Sequence, residues 1–156
     1  MEILAKKDGR IFGAMTIQSP DGFTCPFSDV LYPCLIWDHE GNLSGDERYL
    51  LARKLIDSGC RYAVCGGKHF KVWHDTIHWA YIDLSLGDNE EDDSNLVMTS
   101  WHEDESPDDV ARYFVTCTDF PQYNFKNYLV LHIGDSLSHL VLNEFVRENA
   151  LSKEAP

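Results

Sequence analysis

The sequence reads as an α/β protein built on a mainly parallel sheet, and three observations carry that reading. Four apolar runs, within Cys34–His39, Tyr62–Gly67, Leu96–Asp104 and Tyr128–Asp135, each give way to Gly, His or Asp, the form expected of strands buried on both faces. Helical stretches with their own start and stop signals follow the runs, so strand and helix alternate four times. A length of 156 residues fits one domain, 1–156, large enough to bury a core of its own. The expected architecture is a four-stranded sheet, five-stranded if the lead-in adds an edge strand, flanked by helices in a Rossmann-like or flavodoxin-like three-layer sandwich.

In chain order, residues 1–33 form an irregular or hairpin lead-in, with Lys7-Asp8-Gly9-Arg10 as the turn between two short apolar stretches. Ser19-Pro20-Asp21-Gly22 and Cys25-Pro26 then mark a loop. The α/β core occupies 34–149. Its first strand ends at Asp38, and Ser44 with Glu47 forms a capping box that opens a helix closed by Gly59. The strand Arg61–Cys65 leads through Gly66-Gly67 to a helix over Phe70–Leu84, whose core face is Phe70, Trp73, Ile77, Ala80 and Leu84. After the loop from Ser85 to Asn95 comes a strand ending at Trp101-His102, and Ser106-Pro107 starts a third helix with a cap and a proline at its first position. The spacing of Val110, Phe114 and Cys117 gives that helix its face. The strand Tyr128–Ile133 precedes a last helix capped by Ser136 with a face of Leu137, Leu140, Val141 and Phe145, and 150–156 form a frayed tail.

Composition is globular, with 44% hydrophobic residues and no apolar run long enough to span a membrane. The opening residues lack the layout of a signal peptide, and the five cysteines are odd in number and mostly placed in apolar runs, so the expected compartment is the cytoplasm. Charge is the extreme feature. Formal net charge is -13, and twelve of the 26 acids but none of the 13 bases lie between Val72 and Ala111, which leaves the rest of the chain nearly neutral. Direct nucleic-acid binding is disfavoured by that balance; a basic protein or a cation is the natural partner. The topology puts the acids of 85–95 and of 102–109 at opposite sheet edges, about 15 Å apart.

Ligands of such sheets sit beyond the carboxyl ends of the strands. Those ends offer Asp38, His39, His102, Glu103, Asp104 and Asp135 as a polar catalytic cluster, although Asp, Gly and Ser also collect there as helix caps. His102 stands out because the following carboxylates can orient it. His74-Asp75-Thr76-Ile77-His78 resembles the H-E-x-x-H zinc motif, with two His one helical turn apart and a shortened Asp in place of the general base. His74 and His78 are therefore the metal candidates. Gly134-Asp135-Ser136-Leu137 spells the signature of the GDSL hydrolases, which implies Ser136 as nucleophile of an esterase; the block lies near the carboxyl end rather than the amino end, and the only D-x-x-H partner is Asp75–His78, upstream. Cys65 could pair with His39 or His102, but burial would leave its thiol inert. No P-loop or G-x-G-x-x-G is present, and nothing calls for a cofactor.

Gly59-Cys60-Arg61-Tyr62-Ala63-Val64-Cys65, Trp73-His74-Asp75 and Val97–Glu105 together resemble a bacterial family of domains of unknown function, over roughly residues 34 to 134. The resemblance implies a bacterial, intracellular origin and brings no activity with it. Two functions stay open: an acidic interaction domain, such as an immunity, defence-system or regulatory-operon component that binds a basic partner protein, and a small hydrolase or metal-dependent enzyme working from the strand ends. The first is expected from charge, through Glu103, Asp104 and Glu105. The helix over 70–84 adds an interface expectation, because its wheel leaves Val72 and Trp79 opposite the core face, as in a homodimer or a complex.

Overall fold

The computed structural model describes residues 1–85, 95–119, 121–134 and 138–152. In chain order its elements are β1 (Glu2–Lys7), β2 (Arg10–Ile17), β3 (Tyr32–Asp38), α1 (Gly45–Ser58), β4 (Cys60–Gly67), α2 (Phe70–Ser85), β5 (Met98–Trp101), α3 (Pro107–Thr116), β6 (Asn127–Ile133) and α4 (Ser138–Leu151). The strands form one six-stranded sheet in the order β1-β2-β6-β3-β4-β5. All neighbours are parallel except β1 and β2. The α/β class and the parallel core agree with the sequence and the lead-in is the hairpin alternative, but the sheet has six strands rather than four or five because both hairpin strands join it. Asp8 and Gly9 take φ of 53° and 77°, the left-handed pair that a tight hairpin needs, and the returning strand pairs along its length with β6.

The two faces carry separate cores. Tyr32, Cys34 and Ile36 of β3 and Leu129 and Leu131 of β6 pack under α1 and α2, while Leu35, Tyr128 and Val130 pack under α3 and α4. Strand alternation makes this division, and right-handed crossovers explain it. The chain moves from β3 to β5 with its helices on one face, then returns to β6 with α3 on the other. Local signals hold as read: Ser44 and Glu47 form a reciprocal capping box on α1, and Ser106 Oγ accepts from the Asp109 N–H at the start of α3, caps worth about 1 kcal/mol each.

Three expectations are corrected by the packing. β5 is an edge strand of four residues, none of them fully buried, because only β4 pairs with it among the described residues. Cys117 is exposed beyond the end of α3, whose buried face is Val110, Ala111, Phe114 and Val115. In α4 the buried residues are Leu142, Asn143, Val146 and Ala150, whereas Leu140 and Val141 are 58% and 50% exposed. The inward face is rotated to include a polar residue that an apolar count discards. Among the described residues no helix is long and apolar enough to cross a membrane.

Candidate functional site

β3 and β6 are neighbours whose chains leave in opposite directions, β3 toward β4 through α1 and β6 into α4, which packs against β1. This is the topological switch point of the sheet, where parallel sheets open a crevice at their carboxyl edge. The backbone ties the two exits together: the His39 N–H donates to Ile133 O at 2.9 Å and the Gly134 N–H to Ile17 O at 2.9 Å. Gly134 has φ of +83°, and a Cβ there would come within 2.7 Å of Glu40 Cγ, so the turn and the Glu40 side chain together require glycine.

Asp38 and His39 point to opposite faces and do different work. Asp38 is 1% exposed. Its Oδ1 accepts from the Gly41 N–H at 2.7 Å and the Glu40 N–H at 3.2 Å, and its Oδ2 from Trp73 Nε1 at 3.0 Å. A carboxylate so bonded fixes the loop after β3 and docks α2. His39 turns toward α4. His39 Nε2 lies 2.8 Å from His132 Nδ1, His132 Nε2 lies 2.7 Å from Asn143 Oδ1, and Ser138 Oγ lies 3.2 Å from His39 Nδ1. The two imidazoles are stacked with centroids 5.0 Å apart, and His139 meets His132 edge-on at 5.5 Å.

Burial pushes the His132 imidazole down from 6.5 to about 4, with His39 and His139 adding to the effect and the Asn143 bond opposing it. The ring is therefore neutral near pH 7, with one donor and one acceptor. Its Nε2–H donates to Asn143 Oδ1, so its Nδ1 must accept from the His39 Nε2–H. With Nε2 so engaged, His39 Nδ1 meets the Ser138 hydroxyl, which donates to it. The result is a one-way chain, Ser138 to His39 to His132 to Asn143, running from the surface into the core. Sequence reasoning found only His39 of its four members; it singled out Ser136 rather than Ser138 and missed His132 and Asn143. The available signals were a histidine inside the apolar run of β6 and an asparagine on the inner stripe of α4.

The other candidates lie elsewhere. β5 is two strand spacings from β3, about 10 Å, so His102 does not join His39. The His102 side chain is 5% exposed. Its Nδ1 pairs with the Glu105 carboxylate, its Nε2 lies 3.1 Å from Ser100 Oγ, and its ring packs edge-on against Tyr113 at 4.5 Å. Glu103, Asp104 and Glu105 are exposed, and Asp104 turns the chain with φ of 56°. Trp101 is 44% exposed and stacks edge-on against His74 at 4.5 Å, whose Nδ1 is 3.0 Å from Asp75 Oδ1. His78 instead sits beside Trp79. Among the described residues no group of three His, Cys, Asp or Glu is placed to hold a metal. Cys65 is fully buried, and burial raises its thiol well above the ordinary value, which removes it as a nucleophile.

Val72 and Trp79 are 40% and 60% exposed. They lie on the flank of α2 that faces α1, where Tyr49 bonds Asp83, opposite the flank that meets Trp101. Asp135 and Ser136, and the acidic run Asp88–Asp93, fall outside the described residues. A cleft lined by Ile56, Asp57, Arg61, Tyr81, Leu84 and Asn95 opens at the amino edge of the sheet. The Arg61 guanidinium there is bonded to Ile56 O, Cys60 O and Asn95, which makes it a clamp on the β4 entrance rather than a reactive group.

The family described as a domain of unknown function, DUF7684, matches residues 16–149. The chain belongs to that family. No curated protein matches it.

Proposed function

We propose that this member of the family is an acidic protein-interaction domain that receives a basic, extended segment of a partner protein along the outer edge of β5. The observation that carries the reading is an exposed tryptophan at the end of an edge strand, followed at once by three exposed carboxylates: Trp101, then Glu103, Asp104 and Glu105. An exposed edge offers backbone donors and acceptors to an added strand. Trp101 and the 37%-exposed Met98 supply apolar anchors beside it, and the carboxylates select positive charge. The same carboxylates oppose pairing of two copies of this edge, since like charges would face each other. A basic partner is therefore favoured over a second copy here.

The test is a 15N chemical-shift titration with an extended Lys/Arg-rich peptide at low and high salt. Shifts confined to residues 74–75 and 98–105, with affinity falling steeply as screening shortens from about 10 Å at 0.1 M to 3 Å at 1 M, support the reading. Shifts scattered over the surface, or an affinity insensitive to salt, contradict it.

A further inference from the structure

We infer a second, independent activity at the switch point between β3 and β6: Ser138 is the nucleophile and His39 the general base of an acyl-ester hydrolytic site, with His132 and Asn143 as positioning residues. Nucleophile and base lie 3.2 Å apart, and the base is held from its far nitrogen by His132 at 2.8 Å, the geometry by which an activated serine is recognised irrespective of chain order. Ser138 is exposed and His39 half-buried, whereas His132 and Asn143 are 0% and 4% exposed. The reactive end thus meets solvent while the orienting end is locked in the core. Asn143 holds one tautomer of His132, and His132 thereby holds one tautomer of His39, the one whose Nδ1 lone pair faces the hydroxyl.

In the reaction Ser138 Oγ attacks the ester carbonyl carbon as its proton passes to His39 Nδ1. The bond to the alcohol oxygen breaks, and His39 returns that proton to the departing alkoxide. Water, deprotonated in turn by His39, adds to the acyl carbon of the Ser138 ester; the bond to Oγ breaks and takes the proton back, which releases the carboxylic acid. The Glu40 carboxylate packed on Gly134 repels anions beside the base. The substrate class is a neutral or cationic carboxylic ester, not a phosphate ester.

The experiment uses a neutral fluorophosphonate, which forms an Oγ–P bond with loss of fluoride, and locates the adduct by mass spectrometry on the full chain. The expected result is a single adduct on Ser138, absent in Ser138→Ala and formed about 100-fold or more slowly in His39→Gln, with both variants folded by NMR. Asn143→Asp, which puts a carboxylate on the His132 Nε2–H, should shift the acid limb of the labelling-rate profile upward in pH. No adduct on Ser138 in the folded parent, or equal labelling in His39→Gln, overturns the inference; an unmoved acid limb in Asn143→Asp removes His132 and Asn143 from it.

Discussion

His39 and His102 each stand one residue past the end of a parallel strand, yet the sheet makes them different groups. His39 follows β3, which has β6 on one side and β4 on the other, so its ring reaches a buried partner on a neighbouring strand. His102 follows β5, at the rim, and its Nδ1 finds a carboxylate only three residues along its own chain. A central strand end builds a site from several elements, whereas an edge strand end builds a surface. The first suits chemistry that needs a fixed tautomer; the second suits recognition of a partner by charge and exposed aromatic area.

The difference should be largest in acid. Folded His132 resists protonation down to about 4, while the unfolded chain takes up that proton near 6.5. Stability from this group is therefore fully present above 6.5 and is lost as pH falls toward 4, by roughly 3 kcal/mol. Urea unfolding across that range measures it, and His132→Gln should flatten the slope. Next in size, Asn143→Leu leaves the His132 Nε2–H buried without an acceptor and should cost about 1–3 kcal/mol. At the rim, Glu105→Gln removes a half-exposed pair and should cost under about 1 kcal/mol; equal losses from these two variants would erase the distinction between centre and edge.

The surface variants should leave stability within about 1 kcal/mol and change binding instead. Replacing Glu103 and Glu105 by Gln and Asp104 by Asn, which tolerates the left-handed conformation at that turn, should slow association with a basic peptide in stopped-flow measurements and remove its salt dependence. Trp79→Ala should leave the chain folded, as read by circular dichroism, because its side chain is 60% exposed. A Trp79→Ala chain that unfolds would make Trp79 a packing residue.

Much of the layering was legible in the sequence because apolar runs, caps and punctuating glycines are local signals. Ser44-x-x-Glu47, Gly59 and Ser106-Pro107 mark helix ends without reference to anything distant. Strand order was not legible, since β2 pairs with β6 and β3 with β6 across more than ninety residues. The site followed the same division. His39 was visible as a polar residue at a strand end, but its partners were not: His132 and Asn143 are polar residues in apolar settings, and a pattern read for hydrophobic faces passes over them. Only the meeting of β3, β6 and α4 turns those two exceptions into a pair that satisfies each other.

The most direct test of the buried relay is a long-range 1H–15N correlation of the histidine rings followed from pH 7.5 down to 3.5. Burial of His132 and its bond to Asn143 predict a neutral ring with the proton on Nε2 that begins to charge only near 4, and a His39 that carries a proton on the Nε2 facing it. A His132 that titrates near 6.5, or that carries its proton on Nδ1, would contradict the one-way chain from Ser138 into the core.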